Sequence, residues 1–395
     1  MATYLLAGGG TAGHVNPLLA TADELRRRDP SAEIIVVGTA QGLEARLVPA
    51  RGYELVTIAK LPFPRRPNRA AVTFAPKLLR VISDLAALIV ERHVDVVVGF
   101  GGYAAAPAYL AARRARVPLV IHEANAKPGL ANRLGARFTP YVGVAFRGTE
   151  LPHARFVGMP LRAEIETLET AEALAEARIE GLELFGLSDD MPVLLVTGGS
   201  LGAERLNSAV FASIAPILAA GWQVLHIVGG RSTLVDPEIS GYRMLAYSDR
   251  MHLALAVASL AVSRAGAATV SELAALGVPS VLVPYAVGNG EQRFNAADVV
   301  AAGGAILVPD SDVTPEWVAS TLVPLLGEPD RVAAMARAAA SVGVRDGSAR
   351  TANLIGAALT DAADVEYTPN DDGLIDGAPI DGAPTDDAPG KGAAE

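Results

Sequence analysis

Cysteine is missing from all 395 residues. Its absence excludes a disulfide framework, thiolate chemistry and any cysteine-ligated metal, and is compatible with a reducing compartment. Aromatic residues are scarce at 5%, although 51% of the chain is hydrophobic. The apolar content is therefore carried by Ala, Val and Leu, as in helices packed on buried parallel strands. A basic surplus is also lacking. The formal charge is −10, yet residues 361–395 hold ten acids against Lys391, a net −9, which leaves residues 1–360 at −1. A body so near neutrality gives no electrostatic case for nucleic acid, which would need a basic face. The charged n-region and apolar run of a signal peptide are absent: Met1-Ala2-Thr3-Tyr4-Leu5 enters a strand directly, so a cytoplasmic protein is expected. Between Arg205 and Arg231 no charged residue occurs, a stretch long enough to span a bilayer. Asn207-Ser208 opens it and Gly221-Trp222 breaks it, and Gln223 to Val228 alternates like a strand ending at Gly229-Gly230. A helix followed by a strand is predicted instead.

What is present is a repeating alternation. Short apolar runs near 3–7, 33–37, 54–58, 94–99 and 118–122 are separated by amphipathic segments, which reads as a βαβ series. The pattern weakens through Phe156-Val157-Gly158-Met159-Pro160 and the Glu- and Ala-rich stretch 163–186. It restarts at 193–197 and continues through 224–228, 259–263, 279–283 and 305–308. At this length two domains are the natural division. The prediction is α/β, two doubly wound domains facing a cleft, with a hinge near 158–163. Their bounds are 1–160 and 161–344, with a helix at about 345–360 packing back on the first. Residues 361–395, rich in Asp, Gly, Ala and Pro, bury too little apolar surface to fold and are expected to form a disordered acidic tail.

Three glycine-bearing loops stand between a strand and a helix. The first is Ala7-Gly8-Gly9-Gly10-Thr11-Ala12-Gly13-His14. Its G-x-G-x-x-G spacing suits a dinucleotide, but that reading also needs an acid after the second strand, where Val37-Gly38-Thr39-Ala40 stands. The missing acid turns the reading from a dehydrogenase to a loop that brings a bulky polar ligand against the backbone. His14 lies at a helix N-terminus, where the dipole favours the neutral, base-competent imidazole. It serves either as a functional base or as a pin for the loop. The second loop, Thr197-Gly198-Gly199-Ser200-Leu201-Gly202-Ala203, offers amides and Ser200 to a phosphate, or is a plain turn. The third is Ser263-Arg264-Ala265-Gly266-Ala267-Ala268-Thr269-Val270-Ser271-Glu272. Its small residues expose N–H groups to a diphosphate, and Glu272, one turn on, is placed for ribose hydroxyls or for the helix dipole. Gln292 and Asn295 are uncharged groups suited to sugar hydroxyls.

Taken together these residues resemble the MurG family of N-acetylglucosaminyltransferases over about residues 3–359. The likeness rests on Gly9-Gly10-Thr11-Ala12-Gly13-His14, Gly99-Phe100-Gly101-Gly102-Tyr103, His122-Glu123-Ala124-Asn125, Gly158-Met159-Pro160-Leu161-Arg162, Gly198 to Ala203 and Arg264 to Glu272, in family order. Ala12 and Ala124 replace the commoner Gly and Gln. The resemblance implies a GT-B fold, inverting transfer from UDP-N-acetylglucosamine to lipid I to give lipid II, and neither metal nor other cofactor. It also implies that Thr11, Ala12 and Gly13 line the donor sugar and that Asn125 and Arg162 contact donor groups. Ser200 and the segment Ala267, Ala268, Thr269, Val270, Ser271 and Glu272 take the diphosphate and ribose. Gln292 reads the sugar, and Ser248 presents backbone to uracil. Another UDP-sugar transferase of the same architecture is the nearest alternative; an NAD-dependent oxidoreductase or a nucleotide-sensing module is the alternative from a different class.

A metal-free inverting transfer needs a base for the acceptor hydroxyl, and His14 is the candidate. Glu123 is second, its other reading being a structural partner of His122. Asp310-Ser311-Asp312 spells the D-x-D of metal-dependent transferases, but before Val313-Thr314-Pro315 it reads as a helix start with acidic caps. A lipid acceptor calls for a docking surface. Phe63, Arg65, Arg66, Arg69, Lys77 and Arg80 mix cationic and apolar groups, which suits the anionic lipids of the cytoplasmic face of the plasma membrane. A solvated loop and helix is the other reading of this run.

Overall fold

A computed structural model of the chain describes residues 2–61, 69–199, 203–285 and 290–364. Residues 361–364, expected at the start of the disordered tail, are instead helical, and the chain from 365 onward lies outside the described residues.

The first half alternates strands β1 (Thr3–Ala7), β2 (Glu33–Thr39), β3 (Glu54–Ile58), β4 (Val96–Gly99), β5 (Leu119–Glu123), β6 (Tyr141–Val144) and β7 (Ala154–Phe156) with helices. These are α1 (Ala12–Arg28), α2 (Glu44–Ala50), α3 (Arg69–Glu91), α4 (Ala105–Ala115) and α5 (Leu130–Gly135). After α6 (Ala163–Glu166) and α7 (Ala171–Phe185) the second half runs β8 (Val193–Thr197), α8 (Glu204–Phe211), α9 (Ile214–Ala219), β9 (Gln223–Ile227) and β10 (Tyr242–Leu245). It continues with α10 (Met251–Val257), β11 (Leu260–Ser263), α11 (Ala267–Ala275), β12 (Ser280–Leu282), α12 (Glu291–Asn295), α13 (Ala297–Ala301) and β13 (Ala305–Leu307). Short helices α14 (Pro315–Trp317) and α15 (Val323–Leu326) precede α16 (Pro329–Val342) and α17 (Gly347–Asp364).

Both sheets are parallel, ordered β3-β2-β1-β4-β5-β6-β7 and β10-β9-β8-β11-β12-β13. Parallel strands covered on both faces must be apolar throughout, and Tyr4-Leu5-Leu6 and Val193-Leu194-Leu195-Val196 are buried at every position. Strand order reverses between β1 and β4 in one sheet and between β8 and β11 in the other. Chains leaving adjacent strands there diverge to opposite faces and open a crevice at the strands' C-terminal ends, where ligands of such sheets bind. The loops after β1, β4, β8 and β11 are the glycine-rich segments.

The predicted strands all form. Strands β6, β7 and β10 were not foreseen: they have three or four residues each and lie at or next to a sheet edge, and β7 and β10 include exposed positions such as Ala154 and Arg155, so their apolar signal is weak. The uncharged stretch after Arg205 folds as α8, α9 and β9, the helix broken at Ala212-Ser213, and no helix among the described residues is long and apolar enough to cross a membrane. Helix α17 returns to pack on α1 and on the face of β4 to β6, filling the first half's core with Leu354, Ile355 and Ala358. One apolar cluster is continuous across the two halves, from Ala124, Phe146 and Met159 to Val270, Ala296 and Val299.

Each sheet buries one histidine. His122 on β5 donates from Nε2 to the Gly158 carbonyl at 2.9 Å. His226 on β9 lies between the Tyr242 hydroxyl, 2.7 Å from Nδ1, and Asn207 Oδ1, 3.2 Å from Nε2. Asn207 in turn donates to the Val228 carbonyl at 2.7 Å and so fixes α8 on the sheet. Burial lowers both imidazoles to about 4. The unfolded chain titrates these groups near pH 6.5, so it takes up protons that the fold refuses, and stability falls as pH drops from 6.5 toward 4. Between pH 7 and 5 each half is expected to lose on the order of 2 kcal/mol. Thermal denaturation of His226→Gln should show a correspondingly shallower pH slope; equal slopes for variant and wild type would contradict it.

Candidate functional site

The loop after β1 is held from below by a carboxylate. Glu44, fully buried at the start of α2, accepts from the Gly10 N–H at 3.0 Å and from the Thr39 N–H and hydroxyl at 2.8 Å each. Burial pushes its pKa up, but these donors outweigh the burial and hold it below the usual carboxylate value. Gly9, Gly38 and Gly42 encircle the carboxylate, where a Cβ would come within 2.4, 2.4 and 2.0 Å of Glu44 atoms. Gly102, after β4, has φ +82, and a Cβ there would meet the Gly9 carbonyl at 2.3 Å. The two loops therefore pack backbone on backbone, and that close approach accounts for the Gly101-Gly102 pair.

His14 stands in the first turn of α1. Its Nδ1 is 3.2 Å from the Gly9 carbonyl and 3.2 Å from the Thr11 hydroxyl. A carbonyl only accepts, so in the neutral ring Nδ1 carries the proton and Nε2 keeps its lone pair. Nε2 lies over Gly101, where a Cβ would approach it to 3.2 Å. Thr11 and Ala12 are exposed at the loop's tip and Gly13 is half-buried.

Glu123, at the end of β5, is a hub of a different kind. It accepts from the Asn125 N–H at 2.9 Å, the Gly129 N–H at 3.0 Å and Asn132 Nδ2 at 2.8 Å. Asn132 is fixed by the Tyr109 hydroxyl, which donates to its Oδ1 at 2.6 Å. Glu123 thus braces the loop 124–129; the partner of His122 is the Gly158 carbonyl, not Glu123. The braced loop reaches the second half. Asn295 Oδ1 accepts from the Ala126 N–H at 2.9 Å, and its Nδ2 faces Asn125 Oδ1 at 3.5 Å and the Ala265 carbonyl at 3.4 Å. Asn295, expected to face a sugar, is buried in this junction. A run of contacts thus leads from His14 through Gly101, Asn132, Glu123, Asn125 and Asn295 to Ala265 at the head of the third loop.

In the second half α11 begins at Gly266 with no side-chain cap and no acid in its first turn, so the N–H groups of Ala267, Ala268 and Thr269 are open to an anion. Val270 is buried and Ser271 half-buried on the same helix. Glu272 pairs with Arg162 Nη2 at 2.8 Å and Nε at 3.2 Å, joining the segment after β7 to α11. Burial lowers the Arg162 pKa and the Glu272 charge raises it; the latter prevails. Gln292 Oε1 accepts from the Tyr285 N–H at 2.8 Å, and its amide nitrogen has no partner among the described residues. Ser248 is buried and its hydroxyl accepts from the Arg250 N–H at 3.2 Å.

Ser200, Phe63, Arg65 and Arg66 lie outside the described residues, and of Arg69 only the backbone, at the start of α3, is described. Lys77 and Arg80 are exposed on α3 beside exposed Leu79. Asp310-Ser311-Asp312 forms a short 3₁₀ turn, as a helix start requires, but its acids are not the caps expected of them. The cap of α14 is Thr314, which accepts from the Trp317 N–H at 3.2 Å, whereas Asp310 faces two arginines. Residues that sequence reasoning passed over are Glu44, Tyr109 and Asn132. A glutamate ringed by Gly38 and Gly42 was the one available signal.

Residues 4–144 match the glycosyltransferase family 28 N-terminal domain and residues 193–351 its C-terminal domain. A protein of Leifsonia xyli subsp. xyli named UDP-N-acetylglucosamine--N-acetylmuramyl-(pentapeptide) pyrophosphoryl-undecaprenol N-acetylglucosamine transferase is 64% identical over 362 residues, 92% of this chain and 100% of that one. One of the same name from Clavibacter sepedonicus is 62% identical, covering 90% of this chain and 96% of its own. Among solved structures, Acinetobacter baumannii MurG superposes with a TM-score of 0.73 at 26% identity, covering 90% of this chain and all of that one.

Proposed function

From the premise that this chain belongs to glycosyltransferase family 28, we propose the residues with which it transfers N-acetylglucosamine from UDP-N-acetylglucosamine to lipid I, giving the lipid II of peptidoglycan synthesis. The acceptor oxygen, the C4 hydroxyl of the muramyl sugar, attacks the anomeric carbon from the face opposite UDP. The bond to UDP breaks with inversion, and the hydroxyl proton passes to Nε2 of His14. The observation that carries this assignment is the Nδ1 contact with the Gly9 carbonyl, which leaves the lone pair on Nε2, the nitrogen beside Gly101 of the neighbouring loop. Departing UDP bears the developing charge, and the open N–H groups of Ala267, Ala268 and Thr269 are fixed dipoles for it. Glu272 holds the ribose once Arg162 yields or shares it, Gln292 reads the sugar through its free amide nitrogen, and Ser248 backs the uracil. Glu123, with its oxygens engaged by loop donors, keeps Asn125 in place rather than taking the proton.

The acceptor's lipid calls for a peripheral site on an anionic surface, at the cytoplasmic face of the plasma membrane. Exposed Lys77, Leu79 and Arg80 on α3 support this, together with the composition of residues 60–69. One experiment tests both ideas: labelled N-acetylglucosamine transfer to lipid I carried in anionic vesicles, and to a water-soluble analogue. Replacing Arg65, Arg66 and Arg69 by Ser should lower turnover on vesicles severalfold and leave the soluble acceptor unaffected. Equal loss on both would reject the membrane patch; no transfer by the wild type to either acceptor would reject the function.

A further inference from the structure

Asp310, the first acid of the D-x-D run, occupies a joint between loops. Its Oδ1 is 2.6 Å from Arg264 Nη1 and its Oδ2 is 3.2 Å from Arg205 Nε. Arg264 opens the segment between β11 and α11; Arg205 lies in the first turn of α8; Asp310 follows β13. A single carboxylate therefore joins three C-terminal strand ends of the second sheet. Arg264 extends the connection, since its Nη1 also faces the carbonyls of Val283 at 3.3 Å and Pro284 at 3.4 Å and its guanidinium covers the Tyr285 ring, 5.4 Å from the centroid. The Tyr285 N–H is the group that holds Gln292. The path runs from the start of α8 through Asp310 and Arg264 to the side chain assigned to the donor sugar.

The joint is held mainly by charge. The Arg264 side chain is 12% exposed and that of Asp310 19%. Among the described residues Arg264 Nε has no hydrogen-bond partner, and Asp310 Oδ1 meets Arg264 without hydrogen-bond alignment. A neutral side chain at 310 would therefore have little directional bonding with which to retain Arg264, and a half-buried guanidinium without its counter-ion is driven to a new position.

We propose that Asp310 is a positioning residue for sugar selection: through Arg264 it fixes the Val283 to Tyr285 stem and hence Gln292, without touching the donor itself. The inference rests on the reading of Gln292 as the sugar-facing group. Asp310→Asn keeps the shape and removes the charge; Asp310→Glu keeps the charge; Gln292→Ala tests the premise. The readout is the ratio of kcat/KM for UDP-N-acetylglucosamine to that for UDP-N-acetylgalactosamine, with the affinity for UDP alone and the melting temperature measured alongside. Asp310→Asn is expected to lower the ratio about tenfold with UDP affinity within about twofold of wild type, and Asp310→Glu to recover most of the ratio. A general loss of structure would weaken UDP and both sugars together. An unchanged ratio in Asp310→Asn beside a lowered one in Gln292→Ala overturns the role of Asp310. An unchanged ratio in Gln292→Ala removes the premise and the inference with it. Should Asp310→Asn fail to fold, a ratio in Asp310→Glu that matches Gln292→Ala counts against charge as the fastener, and one near wild type supports it.

Discussion

A His14→Ala variant is expected to lose about 10² to 10⁴ of kcat while binding UDP-N-acetylglucosamine with near wild-type affinity. Proton transfer is needed only as the acceptor oxygen attacks, so deleting the base removes an interaction specific to the transition state. The groups proposed to bind the donor, the α11 N-terminus and Gln292 among them, are held by contacts that do not include the imidazole. His14 also contributes a contact to Gly9 and Thr11, which raises the question of whether the loop collapses without it. Glu44 holds the same loop through Gly10 and Gly102 holds it through Gly9, both independently of the imidazole, so the loop should persist in His14→Ala. Single-turnover transfer and a donor titration on the same preparation separate the two effects. Turnover near that of the wild type would exclude His14 as the base, and a parallel loss of donor affinity would make it a loop pin.

The architecture was legible in the sequence because buried parallel strands advertise themselves: β1, β4, β8 and β11 are buried throughout and mostly apolar, and a glycine follows each within three residues. Short strands such as β7, Ala154-Arg155-Phe156, carry no such pattern and depend on their neighbours for pairing. In the site, the sequence reading fell on residues that expose a reactive group beside glycine and passed over those that act on other protein groups. Glu44, preceded by Gly42-Leu43, looks in sequence like any acid in the first turn of a helix. Only the approach of β2's end to the first loop, 34 residues away from it in sequence, makes it a hub. Asp310 was misread for the same reason. A carboxylate before Thr-Pro matches a helix start, and its two arginine partners, 105 residues upstream in one case, are brought to it only by the order of strands in the sheet. Asn295 shows the converse error, since its chemistry suits a sugar but its position, one residue before the buried Ala296, places it inside the junction of the two halves.

Replacing Glu44 by Ala is expected to destabilise the first half by on the order of 4 kcal/mol, because the Thr39 N–H and hydroxyl are left buried without an acceptor and the Gly10 N–H loses its partner. For a domain of this size that corresponds to a fall of about 10 °C in melting temperature. Glu44→Gln should recover little. Its single carbonyl oxygen can serve Thr39 or Gly10 but not both, and the amide NH₂ then points at an N–H donor within a ring of glycines that leaves no space for reorientation. The charge matters as well as the count of acceptors. A carboxylate whose folded pKa is depressed stabilises the fold above its unfolded value and loses that contribution as pH falls through the folded one, so the difference between wild type and Glu44→Gln should shrink as pH falls below the ordinary glutamate value of 4.5. Activity should fall further than stability, since the same loop carries His14: at a temperature where Glu44→Gln remains folded by circular dichroism, kcat is expected to drop at least tenfold. A variant with wild-type melting and turnover would mean that the packing of Gly102 on Gly9 suffices to hold the loop, and that the glutamate is dispensable.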